Sequence, residues 1–114
     1  MIAATPDYTA EPPTRAAVDA SRGAVVLEFG TAWCGWCRRA QVLLNPVFAA
    51  YPAVVRVRVE DGPGRPLGRS FGVKLWPTLI FLVDGREIVR LVRPEDEQAV
   101  RAAFAQQAQG ATSP

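Results

Sequence analysis

The two cysteines of the chain, Cys34 and Cys37, stand two residues apart in Trp33-Cys34-Gly35-Trp36-Cys37. Two thiols at that spacing can close a small disulfide ring on each other and open it again, which is dithiol–disulfide chemistry. The pair follows an apolar run, Ala24 to Phe29, and precedes a helical pattern, so both sulfurs fall on a strand-to-helix turn. A sulfur at a helix start faces unpaired backbone N–H groups and the positive end of the macrodipole, which together favour the thiolate. The chain has no histidine, so it cannot by itself supply a four-ligand Cys/His zinc site. A zinc reading would need two chains sharing four thiols.

The elements around the pair can be read from periodicity. Ala40, Leu43, Leu44, Val47, Phe48 and Tyr51 form one helical stripe. Cys37 continues that stripe one turn earlier and is expected to face the core, while Cys34, at the helix start, is expected to be exposed. Pro46 inside the helix predicts a kink or a break near Asn45. Before the pair, Ala24 to Phe29 is apolar on both faces apart from Glu28, as in a central strand. After the helix, Val55, Val57 and Val59 alternate with Arg56, Arg58 and Glu60, the pattern of an edge strand with one solvated face. Asp61 to Ser70 is a turn-rich connection ending in a brief helix. Thr78 to Val83 and Glu87 to Val92 flank Asp84-Gly85, a two-residue hairpin signal. Pro94 at the first helical position, followed by Glu95, Asp96 and Glu97, starts a last helix with an apolar stripe of Val100, Ala103 and Phe104. Thr14 to Ser21 reads as a short first helix. The order is helix, strand, helix, strand, short helix, strand, hairpin strand, helix, with the first two strands parallel and the last two antiparallel.

A chain of 114 residues suits one domain, assigned here to residues 13–105. Residues 1–12 read as a flexible or loosely docked arm and residues 106–114 as a frayed tail. With 13 basic against 11 acidic residues there is no basic field that would imply nucleic acid or a membrane surface as a partner, and a monomer is expected. The first residues lack the pattern of a signal peptide, and no stretch approaches the ~18 apolar residues of a membrane span. The expected compartment is the cytoplasm, with periplasm or secretion open if a leader has been removed. In a reducing compartment a lone Cys-x-x-Cys points to catalysis rather than to a structural bond.

Taken together, these residues resemble the thioredoxin family over roughly Arg22 to Phe104. Trp33-Cys34-Gly35-Trp36-Cys37 is similar to the family's redox motif, Trp76-Pro77-Thr78 to its cis-proline segment, and Asp84-Gly85 to its final hairpin turn; Glu28 holds the place of its buried acid. The resemblance implies an α/β fold with a central mixed sheet of four or five strands, flanked by helices on both faces. It also implies a thiol–disulfide oxidoreductase serving electron transport and cell redox homeostasis, with no cofactor beyond the Cys34–Cys37 disulfide. In that reading Cys34 is the nucleophile, Cys37 resolves the mixed disulfide and Glu28 accepts the proton from Cys37. Trp33, Gly35, Trp36, Trp76 and Pro77, with Pro77 in cis, would hold the substrate. Disulfide-containing proteins are the implied substrates, reduction the expected direction, and a thioredoxin reductase the electron donor to test.

The chain also departs from the family pattern. Trp36 stands where thioredoxins proper have proline, Gly30 where many have an aromatic residue, and Arg93-Pro94 where they often have glycine. Arg56 and Arg58 read first as a solvated strand face, and either could stand in for the family's lysine near the buried acid. A different class of function stays open at this level: a non-catalytic binding module that uses the tryptophans to hold a partner and the dithiol as a redox-sensitive lock.

Overall fold

The computed structural model of the protein describes residues 2–112. The helices and strands run in the order α1 (Arg15–Asp19), β1 (Ala24–Gly30), α2 (Gly35–Ala50), β2 (Val55–Glu60), α3 (Pro66–Ser70), β3 (Thr78–Val83), β4 (Arg86–Val92) and α4 (Glu97–Thr112). The four strands make one mixed sheet in the order β2-β1-β3-β4, with β1 parallel to β2 and the other pairs antiparallel. This is the α/β architecture implied by the resemblance.

The alternation along β1 sorts the core into two layers. Val25, Leu27 and Phe29 face Val18 of α1, Leu67 of α3 and Phe71. Val26 faces Ala40, Leu44, Val47 and Phe48 of α2 together with Val100, Ala103 and Phe104 of α4. Because side chains alternate, Glu28 and Gly30 share the α2 side of the sheet with Val26. That parity places a carboxylate and an empty side-chain position beneath the start of α2. Phe104 fixes α4 in place, with its ring edge-on to Phe48 and Phe81 and stacked on Tyr51 at 4.7 Å.

Local chemistry sets the element boundaries. The Thr14 side chain caps α1 by accepting from Ala17 N–H. Asp84 and Gly85 both take positive φ, 49° and 78°, as a two-residue hairpin turn requires. Gly85 also lies against the Asp19 backbone, where a Cβ has no room. Asp84 ties the turn to the start of β1, accepting from Gly23 N–H at 2.8 Å.

In three places the structure corrects the sequence reading. First, of the kink or break expected near Asn45, the break does not occur: α2 continues through Pro46, and the layer it buries against β1 and α4 holds it despite the lost hydrogen bond. Second, α4 starts at Glu97 rather than Pro94. Arg93 takes a φ of 48° and its N–H bonds Pro77 O, so the chain is still turning there, and Asp96 Oδ1 accepts from Gln98 N–H at the true start. Third, the fraying expected from Gln106 does not occur among the described residues, because α4 runs to Thr112. Gln107 is 1% exposed and its amide donates to Val25 O at 3.1 Å and Leu82 O at 2.9 Å. Ser113 and Pro114, the rest of that tail, lie outside the described residues.

The N-terminal segment runs along the outer edge of β2. Thr5 N–H donates to Arg56 O, Thr9 N–H to Arg58 O, and Glu60 N–H to Thr9 O, with Thr9 pairing parallel to Val59. Replacing Gln107 with Ala removes both amide bonds from carbonyls that water cannot reach. We expect that to cost about 2 kcal/mol or more. A fall in the urea midpoint, with faster amide exchange in the last turns of α4, checks it.

Candidate active site

Cys34 caps α2: its backbone is extended, and its sulfur accepts the Cys37 N–H at 3.3 Å. Both cysteines are free thiols. Cys37 is 1% exposed, facing inward, while Cys34 is 8% exposed rather than the open surface thiol expected from its position. The order of access matches the helical geometry, but its degree does not. Position at a helix start sets only the contacts along α2, and the rest of the fold buries Cys34 further.

Beneath the thiols, β1 offers no side chain at Gly30. A Cβ there would lie 2.5 Å from Cys37 Sγ and 2.9 Å from the hydroxyl of Tyr8, so these two atoms share the space that glycine leaves open. Tyr8 comes from the N-terminal segment, which supplies the aromatic ring that β1 lacks at this point. Its hydroxyl donates to Glu28 Oε2 at 3.0 Å.

Glu28 is fully buried. An unpaired carboxylate there would be costly, and four side chains prevent it. Arg56 Nε donates to Oε1 at 2.8 Å, and Arg58 Nε lies 3.5 Å from Oε2. Gln41 Nε2 donates to Oε2 at 2.9 Å and also to Cys37 O, completing the set with Tyr8. Both arginines therefore belong to the site, not to a solvated face as their alternation suggested. Arg56 also donates to Gln41 Oε1 and Asn45 Oδ1 and lies over the Phe48 ring. Arg58 lies over the Tyr8 ring at 4.5 Å and donates to Pro6 O.

The rim is aromatic and cationic. Trp33 is 72% exposed and meets Trp76 edge-on at 5.8 Å, which brings the segment before Pro77 opposite the cysteine turn. The Trp76–Pro77 bond is cis. Trp76 Nε1 donates to Asp61 Oδ2, and Arg93 Nε donates to Trp76 O at 2.8 Å. The Arg39 and Arg93 guanidinium groups each lie 4.7 Å from the Trp36 ring. Gly35 is exposed and Pro77 buried. Among the described residues no three His, Cys, Asp or Glu side chains converge to hold a metal ion.

The Thioredoxin family model matches residues 9–106. The chain belongs to the thioredoxin family. Cys34 and Cys37 are that family's proximal cysteine pair, the pair that makes its members thiol–disulfide oxidoreductases. The reduced form of thioredoxin 2 from Pseudomonas aeruginosa PAO1 superposes with a TM-score of 0.82 at 52% identity, covering 91% of this chain and 97% of that one. A thioredoxin from Chlamydia muridarum is 34% identical over 79 residues, 68% of this chain and 76% of that protein. Thioredoxin H-type 1 from Nicotiana tabacum is 30% identical over 74 residues; the match covers 65% of this chain and 59% of that protein's length.

Sequence reasoning missed Tyr8 and Gln41. Gln41 could have been found one helical turn after Cys37, on the same side of α2. For Tyr8 the signal was weak: one aromatic residue in a polar segment, and a glycine at the end of β1 with no stated reason.

Burial pushes the Cys37 thiol up from 9.0 to about 11, its hydrogen bond with Cys34 adds to the rise, and the Thr31 backbone and Tyr8 oppose it. The unfolded chain releases this proton near the ordinary value, so the folded state binds it more tightly. The stability so gained is fully present below pH 9.0 and is lost as pH rises to about 11. Urea midpoints of the reduced protein should fall across that window. The fall should be shallower in the oxidised protein, which has no Cys37 thiol to titrate. Equal slopes for the two forms would contradict the effect of burial on Cys37.

Proposed function

We propose that this oxidoreductase reduces disulfides in protein substrates, with Cys34 as nucleophile, Cys37 as resolving thiol and Glu28 as proton acceptor. The Cys37 N–H bond to Cys34 Sγ at 3.3 Å carries the reading, because it fixes the Cys34 sulfur at the N-cap of a 16-residue helix, where the less buried of the two thiols meets a substrate first and Cys37 stands behind it. Cys34 thiolate attacks one sulfur of the substrate disulfide, and the other sulfur leaves as a thiolate. Cys37 then gives up its proton and attacks Cys34 Sγ. The Cys34–Cys37 bond forms and the second substrate sulfur departs, so the substrate gains the two electrons that the dithiol loses. Once Cys34 is in the mixed disulfide, its thiol no longer adds to the rise that burial imposes on Cys37.

Trp33, Gly35, Trp36, Trp76 and Pro77 form the proposed substrate ledge, supported by the exposure of Trp33 and Trp36 and by the Trp33–Trp76 contact. A thioredoxin reductase is the proposed electron donor, the family's usual one. The Cys34–Cys37 disulfide is the proposed sole redox group, and a monomer in the reducing cytoplasm the proposed setting.

Trapping separates the roles of the two thiols. The Cys37→Ser variant should accumulate mixed disulfides through Cys34, Cys34→Ser should accumulate few, and both should lose repeated turnover of a small disulfide. Equal trapping by both variants would overturn the assignment. A wild-type protein that binds partners but never turns over a disulfide would favour the binding module instead. The potential of the pair measured against a glutathione buffer gives the direction of electron flow, since ~30 mV is a tenfold change in equilibrium for a two-electron couple.

A further inference from the structure

We propose that Tyr8 is the proton conduit between Cys37 and Glu28, a role that rests on the assignment of Cys37 as resolving thiol and Glu28 as acceptor. The Tyr8 hydroxyl lies beside Cys37 Sγ in the space over Gly30 and donates to Glu28 Oε2 at 3.0 Å. It therefore bonds one end of the transfer and borders the other. The two carboxylate oxygens have different duties: Oε1 is held by Arg56, while Oε2 faces Tyr8 and Gln41. Gln41 cannot relay a proton between them, because its Nε2 only donates, to Cys37 O and to Oε2. A hydroxyl both donates and accepts.

Cys37 Sγ–H gives its proton to Tyr8 Oη as the Tyr8 hydroxyl proton passes to Glu28 Oε2. Tyr8 stays neutral throughout, Glu28 becomes the acid, and the Cys37 thiolate attacks Cys34 Sγ of the mixed disulfide. No further oxidant or base enters. Burial, followed by the charge of Glu28, raises the Tyr8 phenol well above its ordinary value, so it acts as a neutral relay rather than as a base.

The groups around the hydroxyl come from several elements: Glu28 from β1, Cys37 and Gln41 from α2, and Arg58 from β2, which lies over the ring. The exposed Asp7 and Arg38 line the adjoining cleft of about 260 Å³, with Tyr8, Cys37 and Arg58. The conduit is supplied from outside the sheet's own strands. Backbone bonds from Thr5 and Thr9 to β2 set its register, so Tyr8 falls on the α2 side of the sheet while Thr9 pairs with Val59.

Tyr8→Phe removes the hydroxyl alone and keeps the ring under Arg58 and the backbone bonds of the segment. The probe is 5,5′-dithiobis(2-nitrobenzoate), an aromatic disulfide that releases one coloured thiolate when Cys34 attacks and a second when Cys37 resolves the adduct. In stopped flow with equimolar reagent, Tyr8→Phe should leave the first phase within about twofold and slow the second about tenfold or more. The slowed phase should also rise with hydroxide across the neutral range, because solvent must then take the proton. Glu28→Gln should slow the same phase, and the double variant should be no slower than the slower single, as two links of one path require. An unchanged second phase in Tyr8→Phe, or equal slowing of both phases, overturns the conduit. So does an unchanged second phase in Glu28→Gln, which removes the acceptor as well. Absence of a second phase in the wild-type protein would instead overturn the underlying dithiol reading.

Discussion

The burial of Glu28 is the constraint on which the site depends. A fully buried carboxylate must be met by donors, and here the donors come from three other parts of the chain. Arg56 donates to it from β2, Gln41 from α2 and Tyr8 from the N-terminal segment, and Arg58 of β2 adds an ion pair at 3.5 Å. These contacts fix α2 over β1, and so fix the cysteines over Gly30. Removing one of these partners would leave part of a buried carboxylate unmet rather than merely subtract a bond, so the cluster favours one arrangement of its members.

Two features of the site follow from that arrangement together with a single missing side chain. Gly30 ends β1 on the α2 side, and its open space takes Cys37 Sγ and the Tyr8 hydroxyl at once. A larger residue there would exclude both, so the aromatic ring near the thiols is supplied by the segment that lines β2 instead. On the rim, Arg93 turns with positive φ and uses its side chain twice, donating to Trp76 O and lying against the Trp36 ring. A glycine could make that turn but could not make those contacts. The rim beside the dithiol is accordingly both aromatic and positively charged.

The elements that were legible in the sequence were those whose burial is periodic. β3 runs from Thr78 to Val83 as the hairpin signal placed it, and the stripe from Ala40 to Phe48 buries the face of α2 that it predicted apart from the half-buried Leu43. The start of α4 was misplaced because Pro94 suits a first helical turn locally, while the bonds of Arg93 to Pro77 O and Trp76 O keep the chain out of the helix. The end of α4 was misplaced because Gln107 looks like a surface residue until the two carbonyls it caps are known. Arg56 and Arg58 alternate with valines as any solvated face would, and only the pairing of β2 beside β1 reveals the acid they meet.

By itself the sequence determined the redox chemistry, since two cysteines at that spacing after a buried strand leave few other uses for the sulfurs, and it determined the order of strands and helices. It also set which cysteine faces the core, because helical geometry is local. Tertiary structure decided the environment of the thiols: the cover over Cys34, the two arginines on Glu28, and the arrival of Tyr8 between Cys37 and that acid. The arginines and Tyr8 meet Glu28 from at least 20 positions away, brought together by strand pairing and layer packing, and no periodicity along the chain encodes which side chain will meet which.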